Sequence, residues 1–239
     1  MTGTLLLCAL VAGLSLAIHS PLTFKMILLA RDDRWLTAPL KDVHGIKAWW
    51  HLIRTGTLPD FQPMRDLSYW IDWRVSDIIG SGPYFHLSNL LIWWGILALV
   101  WSIASSALNR PASAPAWLVV LMALHPLAVE PVAWVSGRKH LLSVLFMLGA
   151  TRQLMSATKR QRITLLQGAA IATTFLASCM SQPINILWPM WAAVYVSVSQ
   201  ERDWIRSNRV PLGLLGAGLT FCCVATFMIN MTVYQGTTW

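Results

Sequence analysis

The sequence predicts an all-α polytopic membrane protein of about seven transmembrane helices, with a long extracytoplasmic loop after the first. Three observations carry that prediction. Apolar residues make up 56% of the 239 and charged residues 12%, too little polar surface to coat a soluble domain of this length. Apolar runs near the ~20 residues that a bilayer core requires recur along the chain. The basic residues gather in short loops after alternate runs, where the positive-inside bias places them. The net charge of +8 does not read as nucleic-acid binding, because Lys and Arg form no soluble basic segment with interleaved aromatics. Cys8, Cys179, Cys222 and Cys223 lie in apolar runs with neither metal-ligand spacing nor loop partners, and read as packing residues. Many of the 14 tryptophans fall near predicted helix ends, where an amphipathic ring suits the headgroup level.

The first crossing is expected at 4–19. No Lys or Arg precedes it, so the charged start of a secretory signal is missing and a retained helix is expected. The loop 20–83 is too long to be structureless, and two helices are expected in it. Over 40–54, Val43, Ile46, Trp50 and Ile53 form one stripe beside the basic stripe Lys41, His44, Lys47, His51 and Arg54. Over 64–79 the stripe is Met64, Leu67, Ile71, Val75 and Ile78. Both helices should lie flat in the outer interface. The remaining crossings are expected at 84–108, 117–135, 141–155, 163–180, 184–198 and 210–229, all within a single membrane domain over 1–239. The loops after the second, fourth and sixth crossings carry Arg110, Arg152, Lys159, Arg160, Arg162, Arg202, Arg206 and Arg209, opposed by only Glu201 and Asp203. That side, with the N-terminus, is expected to be cytoplasmic. The long loop, the segment 125–138, the turn near 182 and the C-terminal tail then lie outside.

The stretch Ala123 to Leu142, ALHPLAVEPVAWVSGRKHLL, sets His125, Glu130, Arg138 and Lys139 between apolar runs. Charge at a membrane edge is costly and marks a candidate site. In this topology two further polar clusters, Arg31-Asp32-Asp33-Arg34 and Gln182 to Asn185, face the same side. On the residues alone, Asp32 and Asp33 read as a solvated charged turn. Glu130 and Arg138 read equally as a site or as a structural ion pair. His86 and His125 read as hydrogen-bonded packing residues, and the pairs Trp49-Trp50 and Trp93-Trp94 as interface anchors.

An Asp-Asp pair after the first helix, FQPMRDLSY, PYFHLSNLLIW, HPLAVEPVAWVSGRKHLLSVLF and SQPINILWP follow one another along the chain. In order and spacing they resemble the membrane half of the transmembrane and tetratricopeptide repeat O-mannosyltransferases and their bacterial relatives, which have the GT-C glycosyltransferase fold. The resemblance implies a GT-C-like core in a bacterial inner membrane. It also implies inverting transfer of a sugar from a polyprenyl-phosphate carrier to an extracytoplasmic hydroxyl. Such a reaction needs a carboxylate to take the hydroxyl proton and cations to hold the departing phosphate. By the resemblance Asp32 or Asp33 is the base, and Glu130 is a further carboxylate that orients the acceptor or the cations together with His125. Arg138 and Lys139 hold the phosphate, and His86 and Asn89 complete the wall. The implied partners are membrane lipids, the lipid-linked donor and other membrane chains. No metal ligands are read from the residues, and a divalent ion is left open.

The chain departs from the family pattern at polar positions. Gln62 stands where relatives have Arg, Trp93 and Ala128 where they have His, His140 where they have Asp, and Gln182 where they have Lys. Losing an Arg and a Lys removes charge that a phosphate-bearing donor needs. The tetratricopeptide period of about 34 residues is also absent, so either a partner chain supplies acceptor binding or the protein does something else. The alternative function is therefore a catalytically degenerate GT-C-like protein that acts as a structural or assembly subunit of a larger membrane complex.

Overall fold

The computed structural model describes residue 13 and residues 31–54, 60–80, 84–108, 113–160 and 162–236. All but Gly13 of the expected first crossing lies outside these. Among the described residues all regular structure is helical and no strand occurs. The chain forms two compact units, Met1–Leu142 and Ser143–Trp239.

The first unit contains α1 (Arg31–Thr37), α2 (Ile46–Arg54), α3 (Pro63–Ile79), α4 (Phe85–Leu108), α5 (Ser113–Leu124) and the short α6 (Val129–Ala133). It ends in the first residues of α7 (Arg138–Thr158). One-turn 3-10 segments at Pro126–Ala128 and Val135–Gly137 flank α6. A core of Leu36, Leu40, Trp49, Ile53, Tyr69, Phe85 and Val135 joins the loop helices to the start of α4 and to the turn before α7.

Helix α3 begins with Pro63, whose fixed φ suits a first helical position. It ends at Gly80, whose φ of 72° is the left-handed conformation that a side chain resists. Its apolar stripe faces outward and its polar face inward. Arg65, Asp66, Tyr69 and Ser76 are buried, whereas Ile71, Val75 and Ile78 are exposed, Ile78 by 84%. The polar face turns inward because its partners are there, and the apolar face is left for the surrounding medium, as for an interfacial helix. In α2 the inward residues are Trp49 and Ile53, while Ile46 and Trp50 of the expected stripe are exposed.

Among the described residues three segments are long and apolar enough to cross a membrane: Phe85–Leu108, Val135–Thr158 and Arg209–Thr232. The run expected to cross at 117–135 is broken, its halves Pro115–Leu124 and Pro126–Ala133 meeting at 64°. The break falls at His125, held extended at ψ 129° because the proline that follows disfavours helical backbone there.

The second unit holds the rest of α7, then α8 (Leu165–Ser181), α9 (Trp188–Ser199), α10 (Arg202–Ser207) and α11 (Arg209–Gly236). Helix α8 has 17 residues and α9 has 12, both short for a straight crossing. A reciprocal cap starts α8: Thr164 Oγ1 accepts from the Gln167 amide, and Gln167 Oε1 accepts from the Thr164 amide. The core includes Leu154, Ile171, Phe175, Trp188, Val196 and Leu219. Trp188 stacks on Phe175 at 5.2 Å and donates to Thr151 Oγ1 at 2.9 Å. The Gln182 to Asn185 turn is tied within this unit, because Asn185 Nδ2 donates to Ser143 Oγ at 2.8 Å and to Ser178 Oγ at 3.0 Å.

Candidate functional site

Asp33 lies inside the first unit, fully buried, rather than in a solvated turn. Leu36 and Leu40, further along the same segment, are held in the core and draw the aspartate in with them. Its carboxylate Oδ1 accepts the backbone N–H of Ser136 at 2.9 Å across 103 residues of chain. Ser136 sits in the turn that precedes α7, where amides lack helical partners and a carboxylate is a natural acceptor. Thr37 donates back to the Asp33 carbonyl at 2.7 Å and fixes the turn of α1 that carries it.

Arg138, the first residue of α7, is also fully buried. Its Nε donates to Asn89 Oδ1 at 2.7 Å, Nη1 to Asp72 Oδ2 at 2.6 Å and Ser68 Oγ at 3.3 Å, and Nη2 to the Phe85 carbonyl at 2.7 Å. The guanidinium also lies 4.6 Å from the Tyr69 ring centroid. The partners are held in turn. Asn89 Nδ2 donates to the Val132 and Trp134 carbonyls, Ser88 donates to Asp72 Oδ1 at 2.7 Å, and Tyr69 donates to the Val135 carbonyl at 2.7 Å. A cation at a helix N-terminus meets the positive end of the helix dipole, so this acceptor set is what holds Arg138 there.

A second buried guanidinium, Arg65, stands in the first turn of α3. Nε donates to Asp66 Oδ1 at 2.8 Å, Nη1 donates to Gln62 Oε1 at 3.1 Å, and Nη2 lies 2.7 Å from Asp60 Oδ1. Arg65 thus sets a cation beside Gln62. Asp66 Oδ2 is buried and has no hydrogen-bond partner among the described residues. Burial pushes the Asp66 carboxyl up to about 7, Arg65 pulling the other way and Asp60 adding to the rise. Burial works against the Arg65 charge, but Asp66 and Asp60 outweigh it and hold its pKa above the ordinary value. Burial likewise raises the Tyr69 phenol, which feels the charges of Arg138, Arg65, Asp66 and Asp33 together.

Of the residues expected at a site, Asp33, Asn89 and Arg138 meet in this network. Asp32 lies in α1, its side chain outside the description. His86 is buried in the first turn of α4, and Lys139 is half-buried beside Arg138. Glu130 is exposed on α6, and its charge reaches the exposed His140. His125 is exposed and its Nδ1 accepts the Leu127 amide at 3.2 Å, which caps the 3-10 turn. Ser68, Asp72 and Ser88 were not singled out from sequence, nor were Arg65, Asp66 and Tyr69. The spacing of Arg65, Tyr69, Asp72 and Ser76 on one helical face was the available signal. Among the described residues no group of three His, Cys, Asp or Glu side chains could hold a metal ion. No family model, curated protein or solved structure matches the chain.

Proposed function

We propose that the chain is a GT-C-like membrane scaffold, a structural or assembly subunit of a larger membrane complex, in which the charges of a sugar-transfer site serve as internal fastenings. The observation that carries this reading is the state of Arg138. Of the five N–H donors of a guanidinium, four are engaged by Asn89, Asp72, Ser68 and the Phe85 carbonyl, and the residue has no exposed surface. A lipid-linked phosphate would have to displace those partners and leave Asp72 without its cation, a loss of about 3–5 kcal/mol. Trp93, which stands where the resembled family has His, holds a buried indole N–H with no partner among the described residues, and an indole cannot accept a proton as an imidazole does. Large exposed apolar side chains on the second unit, such as Leu166, Val198 and Phe221, support a surface covered by lipid or other chains.

Inverting transfer from a polyprenyl-phosphate sugar is the second reading. It is favoured by the bond between Asp33 and Ser136, which holds Asp33 against the central motif. One variant separates the two. In the scaffold reading Asp33→Asn weakens a charge-assisted bond, so the thermal midpoint of the detergent-solubilised protein falls by several degrees and polyprenyl-phosphate mannose is consumed by neither form in proteoliposomes. Consumption by the wild type, lost in Asp33→Asn at an unchanged midpoint, would replace scaffold with enzyme.

A further inference from the structure

Within the second unit, α7, α9 and α11 leave a groove of about 500 Å³ walled by Leu154, Pro189, Val196, Ile205, Leu212 and Leu219, among others. Its wall on α11 runs from Leu212 to Thr220. The eight steps between them, at ~1.5 Å each, span about 12 Å, close to the ~15 Å that one leaflet contributes to a ~30 Å hydrocarbon core.

One end of the groove is basic. The exposed side chains of Lys159, Arg160 and Arg162 come from the α7–α8 connection, and those of Arg202, Arg206 and Arg209 from α10 and the start of α11. Two bonds tie these segments beside Ile205 and Leu212: Trp204 Nε1 donates to the Arg160 carbonyl at 2.7 Å, and the Ile163 amide donates to Asn208 Oδ1 at 2.8 Å. Glu201 and Asp203 are the acids in these segments, and both are exposed. Asp203 reaches Arg206 only at 3.8 Å. An apolar channel of leaflet depth that ends in surplus cations matches a ligand with an acyl chain and an anionic head.

We propose that this groove binds one anionic glycerophospholipid, its phosphate among the arginines and an acyl chain between α9 and α11. The site uses no residue of the Arg138 network and holds whether that network is a fastening or a catalytic centre. It rests on the crossing of the membrane by α11. Basic residues at a membrane surface supply the attraction for anionic lipid, and the groove fixes where the lipid stays.

The test uses the full chain in uncharged detergent, titrated with phosphatidylglycerol or phosphatidylcholine of the same acyl chains, with bound lipid counted by native mass spectrometry. One phosphatidylglycerol should bind at least about tenfold more tightly than phosphatidylcholine, and a variant carrying Arg160→Gln, Arg202→Gln and Arg206→Gln should lose that preference. Gly216 lines the groove and a side chain there would meet nothing within 4 Å of its Cβ. Gly216→Phe should therefore enter the groove, improve helix propensity and weaken both lipids alike, with the helical circular dichroism retained. Millimolar inorganic phosphate should not displace the lipid. The proposal fails if the wild type shows no preference, if the charge variant keeps it, if Gly216→Phe changes nothing, or if phosphate alone displaces the lipid. It also fails if a photoreactive residue at Ala193, exposed on the groove wall, captures a protein chain rather than lipid in native membranes.

Discussion

Arg138 and Arg65 are both guanidinium groups withdrawn from water, and their surroundings differ in completeness. Arg138 has carboxylate, amide, hydroxyl and carbonyl acceptors around it. Arg138→Leu should cost about 3–5 kcal/mol, because it leaves Asp72, at 11% exposure, with Ser88 as its remaining partner among the described residues. The double variant Arg138→Leu, Asp72→Leu should be less destabilised than the sum of the two single variants, read from thermal midpoints in detergent. Arg65 leaves Asp66 Oδ2 orphaned, and that has a pH signature. The Asp66 carboxyl is pushed up to about 7 from the ordinary 3.8, so between those values the folded chain keeps a proton that the unfolded chain gives up. Stability from this group is full below about pH 4 and is lost as pH rises through about 7. Midpoints measured from pH 5 to 8 should fall with rising pH in the wild type and flatten in Asp66→Asn. Asp33, Asn89 and Arg138 were legible as candidates because they lie in motifs. Asp72 and Asp66 were not, because on a helix assigned to the interface a charge reads as solvated until its inward partner is known.

For whole elements, periodicity located α3 to within a residue but left open which of its faces points inward. An amphipathic pattern identifies two faces, but beside a bilayer either can be the outer one, and the inward acceptors for Arg65 and Arg138 decide it here. The break at His125 was legible in the His-Pro step, but the apolar composition on both sides masked it. Gly137, in the turn before α7, has a requirement that only the fold shows. A Cβ there would lie 2.9 Å from the Cα and from the carbonyl oxygen of Pro131, both backbone atoms with little room to yield. Gly137→Ala should therefore force α6 and the turn apart at a cost of about 1–3 kcal/mol. In limited proteolysis it should be cut faster than the wild type, within 126–137.

At the scale of the whole molecule, three segments among the described residues have the length and composition to cross a membrane, and large apolar side chains remain outside the two cores. Alkaline carbonate should leave the protein in the membrane pellet, whereas non-ionic detergent should release it; appearance in the carbonate supernatant would count against the crossings. Apolar content made the membrane class legible. The number of crossings was harder to read, because α8 is apolar but has only 17 residues, and α9 has only 12.

The bond between Arg138 and Asp72 spans 66 residues, which gives the chain a schedule. During synthesis at ~5–20 residues per second, the aspartate waits roughly 3–13 seconds before its arginine exists. Throughout that interval its charge has to stay hydrated, so α3 stays undocked until α7 begins to emerge. Arg138 thereby acts as a late latch, and a ribosome stalled before it would leave a nascent loop open to proteases and chaperones.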